Sequence, residues 1–231
     1  RVLVGMSGGI DSSVAALLLK EAGHDVVGVT MSIWRDGNPF SGELKKNACF
    51  GPNEEEDIAE ARRVSEMLGI EYHVLDCAEQ YERIVLEDFK HEYLAGRTPN
   101  PCVWCNSLIK FGALPQIARE SGIVFDKFAT GHYAQVDTVG GRYVLRRSAD
   151  LKKDQTYFLY RLTQEQLSEV LFPLGALSKH EARDLCLEHG FFTEDKDESQ
   201  DFYSGDYSDL LQTEPRKGPI VDREGTVLGE H

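Results

Sequence analysis

The residues best suited to bind a phosphate are the seven from Ser7 to Ser13, which read Ser-Gly-Gly-Ile-Asp-Ser-Ser. An apolar, β-branched segment before them predicts a buried strand, and a run of helix formers ending at Gly23 follows them. The motif is therefore a turn into a helix N-terminus, whose unpaired N–H groups and positive dipole end bind anions. The serines add hydroxyl donors, and Asp11 is suited to hold Mg²⁺ beside the phosphate.

This turn has two other interpretations. An ordinary helix cap is one, since Ser and Asp are common at helix starts. A P-loop of the kinase and GTPase type is excluded because the Lys-Ser/Thr ending is missing. The motif instead resembles the pyrophosphate loop (PP-loop) of the ATP pyrophosphatases, which cut ATP to AMP and pyrophosphate and adenylate an oxygen of the substrate. The resemblance implies ATP and Mg²⁺ as cofactors.

A second group of reactive residues lies in the segment Thr98-Pro-Asn-Pro-Cys-Val-Trp-Cys-Asn106. Its two prolines predict an irregular loop, followed by a helix from about residue 107 to 120. The loop would place Cys102 and Cys105 at or near a helix N-terminus, where the pKa of a thiol falls. A C-x-x-C pair fits a redox pair, half of a zinc site or part of an iron–sulfur site, and the sequence leaves these open.

The other cysteines are Cys49, Cys77 and Cys186. Cys49 lies in a polar loop after the second predicted strand, on the expected ligand side, so it could converge with Cys102 and Cys105 on a [4Fe–4S] cluster with one open iron. Packing is the better interpretation for Cys77 and Cys186. An odd number of cysteines in such a chain favours a reducing, cytoplasmic location.

Strand and helix patterns alternate along the first two thirds of the chain. Strands are predicted near residues 2–6, 25–31, 71–76 and 125–130, with helices between them, so the sheet should be parallel and bind ligands at the carboxyl ends of its strands. Asn53 and Glu56 suggest a capping box before one helix, whose acidic first turn would complement the dipole and face solvent. A β-hairpin is expected over residues 133–147.

The sequence pattern changes near residue 165 to short amphipathic helices, which predicts two domains, 1–165 and 166–231. The second would contain short helices over residues 164–171 and 178–189 and a hairpin over residues 219–229. The chain begins without Met and ends in a strand-like pattern, so we expect residues to be missing at both ends.

Charge limits the partners that the chain can bind. The 231 residues carry a formal net charge of −14, which opposes non-specific nucleic-acid binding. No apolar run is long enough to span a membrane, and no membrane partner is expected. One basic patch stands out against this acidity, and it is either a solvated face or a polyanion-binding surface. The patch consists of Arg142, Arg146, Arg147, Lys152 and Lys153.

Several further motifs occur in one order along the chain. They are Gly5-Met-Ser-Gly-Gly-Ile-Asp-Ser-Ser13, Thr98-Pro-Asn-Pro101, Cys105-Asn106, Ile109-Lys-Phe111, Ala129-Thr-Gly-His-Tyr-Ala134, Lys153-Asp-Gln155 and Ser199-Gln-Asp201. Together they resemble the family of bacterial tRNA-specific 2-thiouridylases, which replace oxygen 2 of the wobble uridine with sulfur. The resemblance implies an α/β, parallel-sheet domain of the adenine-nucleotide alpha hydrolase-like (PP-loop) class. It also implies a small central tRNA-binding domain and a C-terminal β-barrel that is missing here.

The resemblance assigns roles by position. Cys105 matches the catalytic cysteine and His132 a residue near the reacting centre, with Cys102 and Asp11 as further catalytic candidates. Asn100, Pro101 and Cys102 match the contact with the target base, and Lys153, Asp154 and Gln155 match a tRNA contact. The implied ATP site is Gly5, Met6, Ser7, Gly8, Gly9, Ile10, Asp11, Ser12, Met31 and Gly131.

Two departures from the family pattern concern sulfur. Cys102 stands where the family has Asp, and Tyr203 stands where it has a second catalytic cysteine. Either a cluster-bound sulfide or a Cys102–Cys105 persulfide and disulfide pair would then supply the chemistry, with tRNA and a sulfur donor as partners. The alternatives are another adenylating ligase that acts on a small molecule, and a non-catalytic RNA-binding or cluster-carrier protein.

Overall fold

A computed structural model describes residues 1–35, 48–193, 201–203, 205–213 and 217–231. The elements up to residue 120 are β1 (Val2–Gly5), α1 (Ile10–Glu21), β2 (Val26–Ser32), β3 (Ala48–Phe50), α2 (Glu54–Leu68), β4 (Glu71–Asp76), α3 (Ala78–Tyr81), a π-helical stretch (Glu82–Leu86), α4 (Glu87–Leu94), α5 (Pro101–Trp104), a second π-helical stretch (Cys105–Ala113) and α6 (Leu114–Glu120). The later elements are β5 (Lys127–Thr130), β6 (Ala134–Val139), β7 (Arg142–Arg147), a 3₁₀ turn (Thr156–Phe158), α7 (Gln164–Glu169), β8 (Val170–Leu171), α8 (Lys179–Glu188), β9 (Asp201–Tyr203), α9 (Tyr207–Leu211), β10 (Pro219–Val221) and β11 (Val227–Glu230).

The central sheet has five strands in the order β4-β2-β1-β5-β8, and every neighbouring pair is parallel. This confirms the predicted α/β fold with a parallel sheet. β1 lies in the middle, and its last residue, Gly5, is in register with Val29 of β2 and Thr130 of β5. The carboxyl ends of these three strands therefore meet at one edge, which is where a parallel sheet binds its ligands.

Two hydrophobic cores cover the two faces of the sheet. Alternate residues of a strand point to opposite faces, and Leu3 accordingly joins one core while Val2 and Val4 join the other. The first core is built with the helical region 78–120, and the second with α1, α2 and α8. Within the described part of the chain both faces of the sheet are thus covered, which leaves the strand ends as the place for a ligand.

Residues beyond the predicted domain boundary contribute to both cores. β8 pairs with β5 and so completes the sheet, while α8 packs against α1. Because Val170 and Leu171 form this strand, α7 ends at Glu169 rather than at Leu171, as the helical pattern had predicted. The division near residue 165 stays a prediction.

Three small sheets complete the described structure. β6 and β7 form the expected antiparallel hairpin, and β10 and β11 form a second one. β3 and β9 pair in parallel, although the paired residues Ala48 and Asp201 are 153 positions apart in the sequence. No helix among the described residues is long and apolar enough to cross a membrane.

Candidate nucleotide and thiol site

The loop between β1 and α1 has the conformation that its glycines permit. Gly8 has a φ of +71°, and a Cβ added there would lie 2.3 Å from the carbonyl oxygen of Asp57. The Ser12 and Ser13 hydroxyls donate to the Gly9 carbonyl at 3.2 and 2.9 Å, and the Ser7 N–H donates to Ser12 Oγ at 3.1 Å. These two hydroxyls therefore hold the turn together, and their role as ligand donors stays a prediction. The first-turn N–H groups of α1 are of the kind that bind anions at a helix start.

Asp11 lies in the first turn of α1, and its Oδ1 accepts from two side chains. The Tyr133 hydroxyl donates to it at 2.8 Å, and Lys179 Nζ lies 2.6 Å away. Mg²⁺ is usually held by one or two carboxylates together with substrate phosphates and waters. Asp11 fits that requirement at the end of a loop that can receive the phosphates.

The turn after β5 lies directly against the segment 6–13, which joins β1 to the first turn of α1 and which we call the nucleotide loop. A Cβ on Gly131 would be 2.6 Å from both the carbonyl carbon of Asp11 and the backbone nitrogen of Ser12. Met31 lies half-buried at the end of β2 and packs against the core. The resemblance assigns to ATP three residues that lie at or next to the carboxyl ends of neighbouring strands, namely Gly5, Met31 and Gly131.

The end of β2 is held in place by Glu54. Its carboxylate accepts from the Ser32 hydroxyl at 2.6 Å and from the N–H groups of Ile33 and Trp34 at 2.6 and 3.0 Å. The acidic first turn of α2 is therefore more than the solvated face that the sequence suggested. The capping box predicted for Asn53 is wrong, because its backbone (φ −80°, ψ 4°) is not extended and its side chain makes no cap bond.

The two cysteines of the C-x-x-C pair lie within a helix. α5 begins at Pro101, six residues before the predicted start at 107, and the Asn100 side chain caps it by accepting from the Val103 N–H at 3.2 Å. A proline fits the first helical position because the N–H it lacks would have no helical partner there. The π-helical stretch continues the helix, so Cys102 and Cys105 lie about one turn apart.

Burial controls the chemistry of Cys105. The residue is 8% exposed, and burial raises the pKa of its thiol to about 12. The positive charge of Lys110 acts in the opposite direction but is the smaller effect. The fall in pKa predicted for Cys105 at a helix N-terminus is therefore wrong, because desolvation of the thiolate outweighs the helix end. Cys105 is a protonated thiol at neutral pH.

Cys49, Cys102 and Cys105 come together near the buried Tyr81. Burial raises the pKa of the Tyr81 hydroxyl well above its usual value, and the negative charges that these three groups carry as thiolates raise it further. Among the residues with described positions, however, no three Cys, His, Asp or Glu side chains are arranged to hold a metal ion. The three cysteines are thus near enough to Tyr81 to influence its ionisation, but they do not form a metal site as they stand.

His132 links the nucleotide loop to the helix formed by α5 and the second π-helical stretch, which carries Cys102 and Cys105 and which we call the thiol helix. Its Nδ1 lies 2.8 Å from Thr130 Oγ1, and its ring centroid is 5.8 Å from that of Phe111 in the second π-helical stretch. Burial, assisted by the positive charge of Lys110, lowers the pKa of His132 to about 3. The imidazole is therefore neutral at physiological pH, and it follows Gly131 directly in the chain.

The segment Lys153–Gln155 is held close to the same turn. Gln155 Oε1 accepts from the Tyr133 N–H at 2.9 Å, while Asp154 accepts from the Ser148 N–H at 2.9 Å and the Thr156 hydroxyl at 2.6 Å. Asp154 and Gln155 thus fix the backbone, and the Lys153 side chain is exposed.

Comparison with known proteins identifies the family. A family model described as "tRNA methyl transferase HUP domain" matches residues 1–203. The chain belongs to this family. A protein of Endomicrobium trichonymphae named tRNA-specific 2-thiouridylase MnmA is 50% identical over the whole chain, and one of Geobacter metallireducens with the same name is 47% identical. The chain spans 64% of the length of each of these relatives.

Among solved structures, the chain is similar to one described as the U34-tRNA thiolase NcsA of Methanococcus maripaludis with its [4Fe-4S] cluster. It is 19% identical to this HUP domain, with a TM-score of 0.48, and the match covers 83% of this chain and 58% of that one.

In this HUP domain the position assigned to the second family cysteine is occupied by a buried tyrosine. Tyr203 lies in β9 opposite Phe50 of β3, with ring centroids 6.3 Å apart, and its hydroxyl donates to Asp209 at 3.1 Å. Cys49 is the neighbour of Phe50 on the paired strand, so it lies next to the place where the resemblance expects the second thiol. Ser199 and Gln200 lie outside the described residues.

Sequence reasoning missed several residues of this HUP-domain site. Lys179 and Tyr133 reach Asp11 from distant parts of the chain, and the acidic run that contains Glu54 predicts a solvated face that complements the helix dipole. Nothing around Lys179 distinguishes it from an ordinary exposed lysine on an amphipathic helix. For Tyr133, the motif Thr130-Gly-His-Tyr133 at a strand end gave a local signal.

Proposed function

We propose that the full-length protein uses ATP to replace oxygen 2 of a tRNA uridine with sulfur, in the cytoplasm. The observation that carries this proposal is the contact chain from the nucleotide loop through Gly131 and His132 to the helix of Cys102 and Cys105. A phosphate-binding loop that is connected in this way to a buried thiol suits a reaction that first activates an oxygen and then substitutes sulfur. The names of the relatives support the same reaction.

ATP makes the uracil oxygen a leaving group. Oxygen 2 attacks the α-phosphorus, the bond to the β-phosphate oxygen breaks, and pyrophosphate leaves with the electron pair. The N–H groups and the positive helix end at Gly9–Ser12 would bind the pyrophosphate. Asp11 would hold Mg²⁺, which neutralises phosphate charge when bound.

Sulfur transfer then uses the two thiols of one helical turn. A protein persulfide donates its outer sulfur to Cys105, and that sulfur attacks carbon 2 so that AMP leaves. The Cys102 thiol next attacks Cys105 Sγ, which gives a disulfide while the electron pair of the broken S–S bond goes to the thiouridine sulfur. A dithiol reductant restores both thiols and takes up the two oxidising equivalents.

A [4Fe–4S] cluster on Cys49, Cys102 and Cys105 is the alternative source of sulfur. The three thiols lie near Tyr81 but do not form a metal site as they stand, so we assign no step to a cluster. Iron and acid-labile sulfide in protein purified without oxygen decide between the two routes. About four irons per chain that are lost in Cys49→Ala would favour the cluster.

The proposed tRNA surface lies beside Asn100. Asn100 Nδ2 donates to the Tyr157 hydroxyl at 3.3 Å, and the Tyr157 and Tyr160 side chains are 66% and 65% exposed. Exposed aromatic rings stack on unpaired bases, and the lysines at 152 and 153 suit the phosphates. A local surface of this kind is what a chain with a net charge of −14 needs in order to bind RNA.

Release of AMP and pyrophosphate by the full-length protein, with and without tRNA, tests the proposal. We expect tRNA to stimulate release, and Asp11→Ala to abolish it. Release that ignores tRNA but responds to a small-molecule substrate would favour an amidating or other adenylating ligase. If no AMP is formed, the result would favour a non-catalytic RNA-binding or cluster-carrier protein.

A further inference from the structure

Lys179 is a lysine at the nucleotide loop that comes from α8. Its Nζ lies 2.6 Å from Asp11 Oδ1, and its side chain is only 14% exposed. The same ammonium lies 5.8 Å from the centroid of the Tyr133 ring, whose hydroxyl donates to the same carboxylate oxygen. Lys179 thus reaches the first turn of α1 across 168 positions of sequence.

The backbone around Lys179 holds it in this place. Ser178 caps α8 in a reciprocal capping box with Glu181, and the Lys179 N–H donates to Asp150 Oδ2 at 3.1 Å. A cation in the first turn of a helix opposes the helix dipole, and its partial burial costs further free energy. The fold therefore places a lysine where its own helix disfavours one.

The nucleotide loop itself has no cation. No Lys or Arg occurs from residue 2 to residue 19, whereas a kinase-type P-loop carries its own lysine. A bound triphosphate would bring several negative charges next to the carboxylate of Asp11. A positive side chain beside Asp11 would offset the negative charge of the triphosphate and that of the carboxylate.

We propose that Lys179 binds the phosphates that become pyrophosphate. Its ammonium would exchange part of its contact with Asp11 for the β- and γ-phosphate oxygens, leaving Asp11 available to Mg²⁺. As the bond between the α-phosphorus and the bridging oxygen breaks, Lys179 would stabilise the charge that the leaving pyrophosphate gains. This inference rests on the proposed function and adds a phosphate-binding residue to its ATP site.

Calorimetric titration of the full-length protein with ATP, pyrophosphate and AMP tests the inference. Lys179→Met should weaken binding of ATP and pyrophosphate at least tenfold and of AMP less than twofold, while Lys179→Arg stays within about threefold of the wild type. Lys217→Met is the matched control, since it removes the same charge from an exposed position. A purely structural role for Lys179 would weaken binding of all three ligands alike and overturn the inference.

A second measurement uses the wild type alone and so does not depend on a variant folding. We expect pyrophosphate, but not AMP, to protect Lys179 from an amine-reactive reagent, as read by mass spectrometry. Equal labelling with and without bound pyrophosphate would overturn the role of Lys179. A wild type that binds neither ATP nor pyrophosphate would instead overturn the proposed function.

Discussion

At the scale of the residue, burial matters more than position along a helix. Cys105 lies near a helix start, yet its thiol has a pKa of about 12 because the thiolate would lose its hydration. Cys102, one turn earlier, is only half-buried. An incoming reagent therefore reaches the Cys102 thiol more easily than the Cys105 thiol.

The alkylation rates of the two thiols should differ accordingly. Because the thiolate is the reactive species, its fraction at Cys105 rises about tenfold per pH unit up to the pKa. We expect Cys105 to react with iodoacetamide far more slowly than Cys102 at pH 7, with a rate that still rises at pH 10. Peptide mass spectrometry measures both, and a Cys105 rate that levels off below pH 9 would contradict the assignment.

Gly131 has no room for a side chain. In Gly131→Ala the new methyl group would lie 2.6 Å from the backbone of Asp11 and Ser12. We expect at least about 2 kcal/mol of lost stability from this overlap, together with weaker ATP binding.

Gly229→Ala is the control for that substitution, since its Cβ would meet nothing within 4 Å. Urea unfolding and ATP titration compare the two variants. Equal stability of the two would show that the turn after β5 is not packed against α1 as described.

His132 makes stability depend on pH in the acid range. Its pKa is about 3 in the folded protein and about 6.5 when unfolded, so the unfolded chain binds more protons between these values. Stability is therefore full above pH 6.5 and falls as the pH drops towards 3. Between pH 7 and pH 5, the free energy of unfolding of the wild type should fall by up to about 2 kcal/mol more than that of His132→Gln, which lacks this titrating group. Equal changes in the free energy of unfolding for the two proteins between these pH values would contradict a half-buried, neutral His132.

At the scale of the element, the strands followed from the sequence and the thiol helix did not. Short β-branched runs between helical patterns identified β1, β2, β4 and β5, because a buried parallel strand is apolar on both faces. The prolines at 99 and 101 predict an irregular loop, whereas Pro101 occupies the first position of a helix, which tolerates proline. β8 has two residues, too few for any pattern to show.

The acidic first turn of α2 provides a test at this scale. Glu54→Gln exchanges a carboxylate that accepts three hydrogen bonds at the end of β2 for an amide with one acceptor. We expect a loss of about 1.5–3 kcal/mol. Glu55→Gln, one residue on and exposed, should change stability by less than about 0.5 kcal/mol. Similar unfolding midpoints for both variants would show that Glu54 does not anchor β2.

At the scale of the whole molecule, the site depends on contacts between distant segments. The motifs at 7–13, 100–105 and 131–132 predicted the main participants, since each has a local signal. Lys179, and the approach of Cys49 to Cys102 and Cys105, depend on how α8 and β3 pack, which no local pattern encodes. The same long-range pairing places Tyr203 beside the strand of Cys49.

The most direct test of the central claim is to measure 2-thiouridine by nucleoside mass spectrometry. Unmodified tRNA would be incubated with the full-length protein, ATP and a protein persulfide, beside Cys105→Ser and the control Cys186→Ala from the other core. We predict one AMP for each 2-thiouridine formed by the wild type and the control, and no 2-thiouridine from Cys105→Ser. Thiolation that survives the loss of Cys105, or a wild type that forms no 2-thiouridine, would contradict the account.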